Sequence, residues 1–127
     1  MTLPDIDRGI SKGTSKQRYR YLKATDFVPV IITDSNSPYT PRGEHVLFCD
    51  TTDGAITVNL VRISSARKDG IWIKNIGEAT NDVTVDGWQD EKIDADATWT
   101  LTDLDVIYII PANSKWNIIS TGTGYML

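Results

Sequence analysis

The chain has 127 residues, 40% of them hydrophobic and 24% charged, with a formal net charge of −4. That is enough for one domain with one core, and the composition is neither collagen-like nor that of a disordered chain. One cysteine (Cys49) excludes an intramolecular disulfide and a cysteine-based zinc site, and one histidine (His45) excludes any site that needs two.

Charge divides the sequence. Residues 1–23 carry six Lys/Arg and two acids, a net +4, whereas residues 24–127 carry seven and fifteen, a net −8. Residues 1–25 are expected to form an extended attachment arm that orders on a partner, and residues 26–127 to form the folded domain. No basic segment followed by an apolar one opens the chain, so no secretory signal is expected. Within the arm, Arg18, Tyr19, Arg20 and Tyr21 alternate cation and aromatic. As a strand they would present both arginines on one face and both tyrosines on the other. Such a pattern grips single-stranded nucleic acid or docks on an acidic protein surface. The negative domain repels phosphate and disfavours the nucleic acid.

The domain reads as all-β. Phe27–Thr33 is β-branched and apolar, with Pro29 placing it at a sheet edge or a strand start. Asp34–Pro38 has turn chemistry, and His45–Asp50 is a second strand. Asp53-Gly54 predicts a turn with glycine at positive φ. Ala55–Leu60 alternates, with Ile56, Val58 and Leu60 on one face. A loop ending at Gly70 leads to the strand Ile71–Ile76. Asp82–Asp86 follows, closed by Gly87, then a short extended piece at Lys92–Asp94. Ala97–Thr102 turns Trp99 and Leu101 inward. Val106–Ile110 is the most apolar strand, closed by Pro111, and Asn113-Ser114 turns the chain into Trp116–Ile119. This predicts a small antiparallel β-sandwich or barrel of about eight to nine short strands. No apolar run approaches the roughly 18 residues of a membrane helix, so no membrane partner is expected.

Two strands, Ile71–Ile73 and Val106–Ile110, are apolar on both faces. A small sandwich has no protein left to cover a second apolar face, so a neighbouring subunit is expected there. Trp72, Tyr108 and Ile110 are the candidate interface residues. Trp99 and Trp116 are expected in the core or an interface. Trp88 lies in the turn Asp86–Asp90 and is the candidate surface contact, since exposed aromatic faces stack on sugars.

Constellations for chemistry are sparse. Asp82, Asp86, Asp90, Glu91, Asp94, Asp96, Asp103 and Asp105 crowd one stretch. Carboxylate pairs serve glycosidases and oxygen clusters bind calcium. The spacing fits no EF-hand loop, and turn aspartates commonly accept bonds from nearby backbone N–H groups. His45 and Cys49, four apart in a strand, stand roughly 13 Å apart and form no dyad. Gly122-Thr123-Gly124 lacks the helix a phosphate loop requires. No catalytic residue, cofactor or metal is assigned.

The order of short motifs between Val46 and Ile119 resembles a β module of tailed-bacteriophage virion proteins, found in tail fibres, tailspikes and head fibres. The matching residues are Cys49–Leu60, then Gly70 and Ile73-Lys74-Asn75-Ile76-Gly77. They continue through Asn81–Val85, Lys92-Ile93-Asp94, Trp99-Thr100-Leu101 and Trp116-Asn117-Ile118-Ile119. Val61 stands where the family usually has proline, and Ala95 where it often has glycine; both are turn details. The resemblance implies a non-enzymatic homotrimer located in the virion, with other capsid or tail proteins as partners. The short chain suits a head decoration, head fibre or tail adaptor anchored by its arm. The alternative it leaves is a receptor-binding tail-fibre module that recognises a host-surface glycan.

Overall fold

The computed structural model describes residues 29–77 and 80–123. Eight strands lie within them: β1 (Pro29–Thr33), β2 (Val46–Asp50), β3 (Ile56–Asn59), β4 (Ile71–Asn75), β5 (Val83–Asp86), β6 (Thr98–Leu101), β7 (Asp105–Ala112) and β8 (Lys115–Thr123). They form a five-stranded sheet in the order β1-β2-β4-β7-β8 and a three-stranded sheet in the order β3-β5-β6. The mostly-β expectation holds. The arm, with Arg18, Tyr19, Arg20 and Tyr21, lies outside the described residues.

The expectation of antiparallel sheets is corrected. β1–β2, β2–β4 and β3–β5 are parallel, while β4–β7, β5–β6 and β7–β8 are antiparallel. The reason is how the chain is wound. From β2 to β5 successive strands alternate between the two sheets, so the chain returns to each sheet in the direction in which it left. The Thr51–Ala55 link is therefore a crossing between sheets and not a hairpin. Gly54 does not take the expected positive φ; among described glycines Gly70 does, at φ 79°. A Cβ at Gly54 would stand 2.9 Å from the Asp34 carboxylate, which would have to swing aside to admit it.

Pro111 does not close β7 as expected, because the strand continues to Ala112. Pro111 is in register with Trp116, whose own N–H turns away to the Lys92 carbonyl at 2.9 Å. No donor is required of position 111 toward β8, so proline is tolerated. Asn113 and Ser114 then close a two-residue hairpin with φ of 56° and 64°, the mirror-image turn that matches strand twist. A bulge opposite Tyr108/Ile109 leaves Ile119 as the extra residue of β8, 57% exposed.

Inward residues of both sheets meet in one cluster: Leu47, Cys49, Ile73, Ile107 and Ile109 from the large sheet, Ile56, Val58, Val83, Val85 and Leu101 from the small one. Alternation of side chains along each strand produces this division. Asn75, the last residue of β4, has no exposed surface. Its carbonyl oxygen accepts from the Thr51 hydroxyl (2.7 Å) and the Gly77 N–H (3.1 Å). Its amide donates to the carbonyls of Asn81 (3.1 Å) and Leu101 (3.2 Å). Asn81 in turn donates to the Thr51 carbonyl at 2.9 Å. Every polar valence of the Asn75 side chain is used, and the network ties β4 of one sheet to β6 of the other.

Candidate functional site

The residues that alternate away from the core build the outer face of the large sheet. One register row holds Pro29, Val46, Trp72, Tyr108 and Ser120; the next holds Ile31, Phe48, Lys74, Val106 and Gly122. Lys74 is the sole charge in these rows. Ile31, on the edge strand β1, is 67% exposed. Trp72 and Tyr108 stack with ring centroids 4.6 Å apart and planes 11° from parallel. Ile110, two residues beyond Tyr108, shares its face. The structure thus brings Trp72, Tyr108 and Ile110 together on one surface, all three half-buried.

That aromatic pair is held in place from its rim. The Tyr108 hydroxyl donates to the Asp69 carbonyl at 2.7 Å. The Asp69 carboxylate takes two bonds of 3.0 Å from Arg67, whose guanidinium also lies 2.6 Å from His45 Nε2. The Arg67 bonds, against a small cost of burial, hold the Asp69 carboxyl below its ordinary range. Gly70, at the end of this loop, runs so close to the Ile109 carbonyl that any side chain would collide with it. His45 and Arg67 were not linked by any sequence spacing; the parallel pairing of β2 with β4 brings them together.

Trp88 lies elsewhere, half-buried just after β5. It lines a cleft of about 570 Å³ built from the segments that follow the parallel strands β3 and β5, with Arg42 and Thr40 from the loop before β2. Asn59 and Asp86, register partners at the ends of these strands, also line it. The Arg62 guanidinium sits over the Trp88 ring, 4.7 Å from its centroid. Sequence reading singled out Trp88 and missed Arg42 and Arg62, because nothing in their neighbours marks them as converging. A narrow recess adjoins the cleft past Arg42, Leu60 and Val61; Trp116 lines it, and its Nε1 is buried without a hydrogen-bond partner among the described residues.

Three of the eight crowded acids serve backbone N–H groups. Asp105 accepts from the Thr102 N–H (2.9 Å) and hydroxyl (2.7 Å), Asp94 from the Ile118 N–H (3.2 Å), and Glu91 from the Ile63 N–H (3.0 Å). Among the described residues no group of three or more His, Cys, Asp or Glu is arranged to hold a metal ion. Cys49 is fully buried in β2, and burial pushes its thiol up to about 12. Trp99 packs against the core and Trp116 lies within it. No family model, curated protein or solved structure matches the chain.

Proposed function

We propose that the protein is a non-enzymatic structural component of a bacteriophage virion: a homotrimeric head decoration, head fibre or tail adaptor module, fastened to the particle by residues 1–25. The observation that carries this reading is the apolar outer face of the five-stranded sheet. A side chain such as Ile31 gains about 1.5–3 kcal/mol when fully covered, and Trp72 and Tyr108 are already fixed in position before any partner arrives. Second copies of the chain are the occupants, each offering the same face around a common axis. The motif order from Val46 to Ile119 that resembles the phage module supports three copies. Glu91, Asp94 and Asp105, engaged on backbone N–H groups, suit a structural domain. Light scattering over a range of concentrations tests the reading. The expected mass is three times 14.1 kDa; a concentration-independent monomer would overturn it.

The cleft favours a second reading, a module that contacts a host-surface glycan. Trp88 stands at a ligand-sized opening among amide, hydroxyl and carboxylate side chains, the mixture of apolar face and polar partners that sugars require.

A further inference from the structure

We infer that the cleft beside Trp88 is a binding site for a saccharide bearing a carboxylate, with Arg62 and Arg42 as the groups that read the acid. The inference rests on the glycan reading and specifies its ligand.

The Arg62 guanidinium carbon sits over the Trp88 ring, 4.7 Å from its centroid. A cation held over an aromatic face is attracted to it, and a guanidinium so placed still has N–H groups with which to meet an acceptor. Arg42 lines the same cleft and is exposed. Among the described residues the ion pairs are Arg67 with Asp69 and His45 with Asp69, and neither involves Arg42 or Arg62. Residues 24–127 hold fifteen acids against seven bases, so two unpaired arginines converging on one opening are not explained by the surrounding charge. A planar fork with two parallel N–H groups matches a carboxylate.

The rest of the lining selects the remainder of the ligand. Asn59 and Gln89 offer amide donors and acceptors, and Asp86 accepts from hydroxyls. Trp88 supplies an apolar surface, with Arg62 covering part of it, so the ring contacts one sugar and not a long stacked run. The site sits on loops carried by paired strands, where Asn59 and Asp86 are held in register. A strand of phosphates is disfavoured by the acidic domain. An otherwise uncharged oligosaccharide with one carboxylate meets far less of that repulsion than a run of phosphates and still engages both arginines.

The test uses the full chain and two probes that differ only at one carboxylate: xylotriose carrying a single glucuronic acid, and the same tetrasaccharide with that acid reduced to glucose. Binding is followed by calorimetry and tryptophan fluorescence. The acidic probe is expected to bind, to weaken as salt rises, and to lose about tenfold or more in affinity in Arg62→Ala. Arg62→Lys is expected to restore little, since an ammonium keeps the charge and loses the fork. Circular dichroism confirms that each variant is folded. Equal binding of both probes would overturn the carboxylate inference and leave the glycan reading standing. No binding of either probe would overturn both. Binding of the acidic probe unaffected by Arg62→Ala would overturn the assignment to this cleft.

Discussion

Glu44 shows how one carboxylate organises a loop. It is 9% exposed and accepts from the Tyr39 hydroxyl and from the N–H groups of Arg42 and Gly43, each of the latter at 2.8 Å. Burial pushes its carboxyl up, but the Tyr39 hydroxyl and the N–H groups of Gly43 and Arg42 outweigh that and hold it below the ordinary value. The same bond, with burial and the neighbouring charge behind it, pushes the Tyr39 phenol from 10.0 up to about 12. The signs follow from linkage. In acid the unfolded chain binds a proton at Glu44 more readily than the folded one. Its contribution is therefore complete above the unfolded value of about 4.3 and is lost as pH falls through the lowered folded value. Tyr39 acts in the opposite sense: its contribution is complete below 10.0 and is lost as pH rises through about 12. Denaturation midpoints measured across pH should show both limbs. Glu44→Gln should make the acid limb shallower, and Tyr39→Phe should make the alkaline one shallower, the buried Cys49 thiol, also raised to about 12, supplying the remainder. An acid limb unchanged in Glu44→Gln would show that other carboxylates govern it.

Between elements, Asn75 matters more than its size suggests. Truncation to alanine strands the Thr51 hydroxyl, the Gly77 N–H and the carbonyls of Asn81 and Leu101, all near the join of the two sheets. Each buried group left without a partner costs about 1–3 kcal/mol. Asn75→Ala should therefore lose at least about 3 kcal/mol in urea denaturation. Asn117→Ala, whose half-buried amide serves turn carbonyls near the hairpin, should lose much less. Equal losses would show that the network does not join the sheets as described. The strands themselves were legible in the sequence: Ile56, Val58 and Leu60 alternate into the core as read. Their pairing was not, because a turn such as Asp53-Gly54 looks the same whether the chain folds back beside its own strand or crosses to another sheet. Pro111 misled for a related reason. Proline stops a strand only where its missing N–H is wanted, and that depends on the partner strand. In the outer face, Trp72 and Tyr108 could be chosen from doubly apolar strands. Arg62 could not be joined to Trp88, since 26 positions separate them and only the β3–β5 pairing closes the gap.

At the scale of the molecule, the apolar outer face and the cleft are separate surfaces that serve separate proposals. Ile31 offers a clean test of the first. It is 67% exposed on an edge strand and outside the core cluster, so Ile31→Lys should leave the fold and its stability within about 0.5 kcal/mol. The same change places a charge on the most exposed apolar residue of the proposed subunit contact, and the expected result is a monomer by light scattering with an unchanged circular dichroism spectrum. An oligomer that persists would move the contact to another face. Cys49 has a kinetic consequence. It lies in β2 with parallel partners on both sides, in register with Ile32 on β1 and Asn75 on β4. A thiol with no exposed surface and held up to about 12 is inert to alkylation while those strands stay paired. A thiol reagent in solution can modify it only during excursions that part the large sheet, so the labelling rate counts those excursions. The chain thus carries, in its single sulfhydryl, an internal recorder of how often its own sheet comes apart.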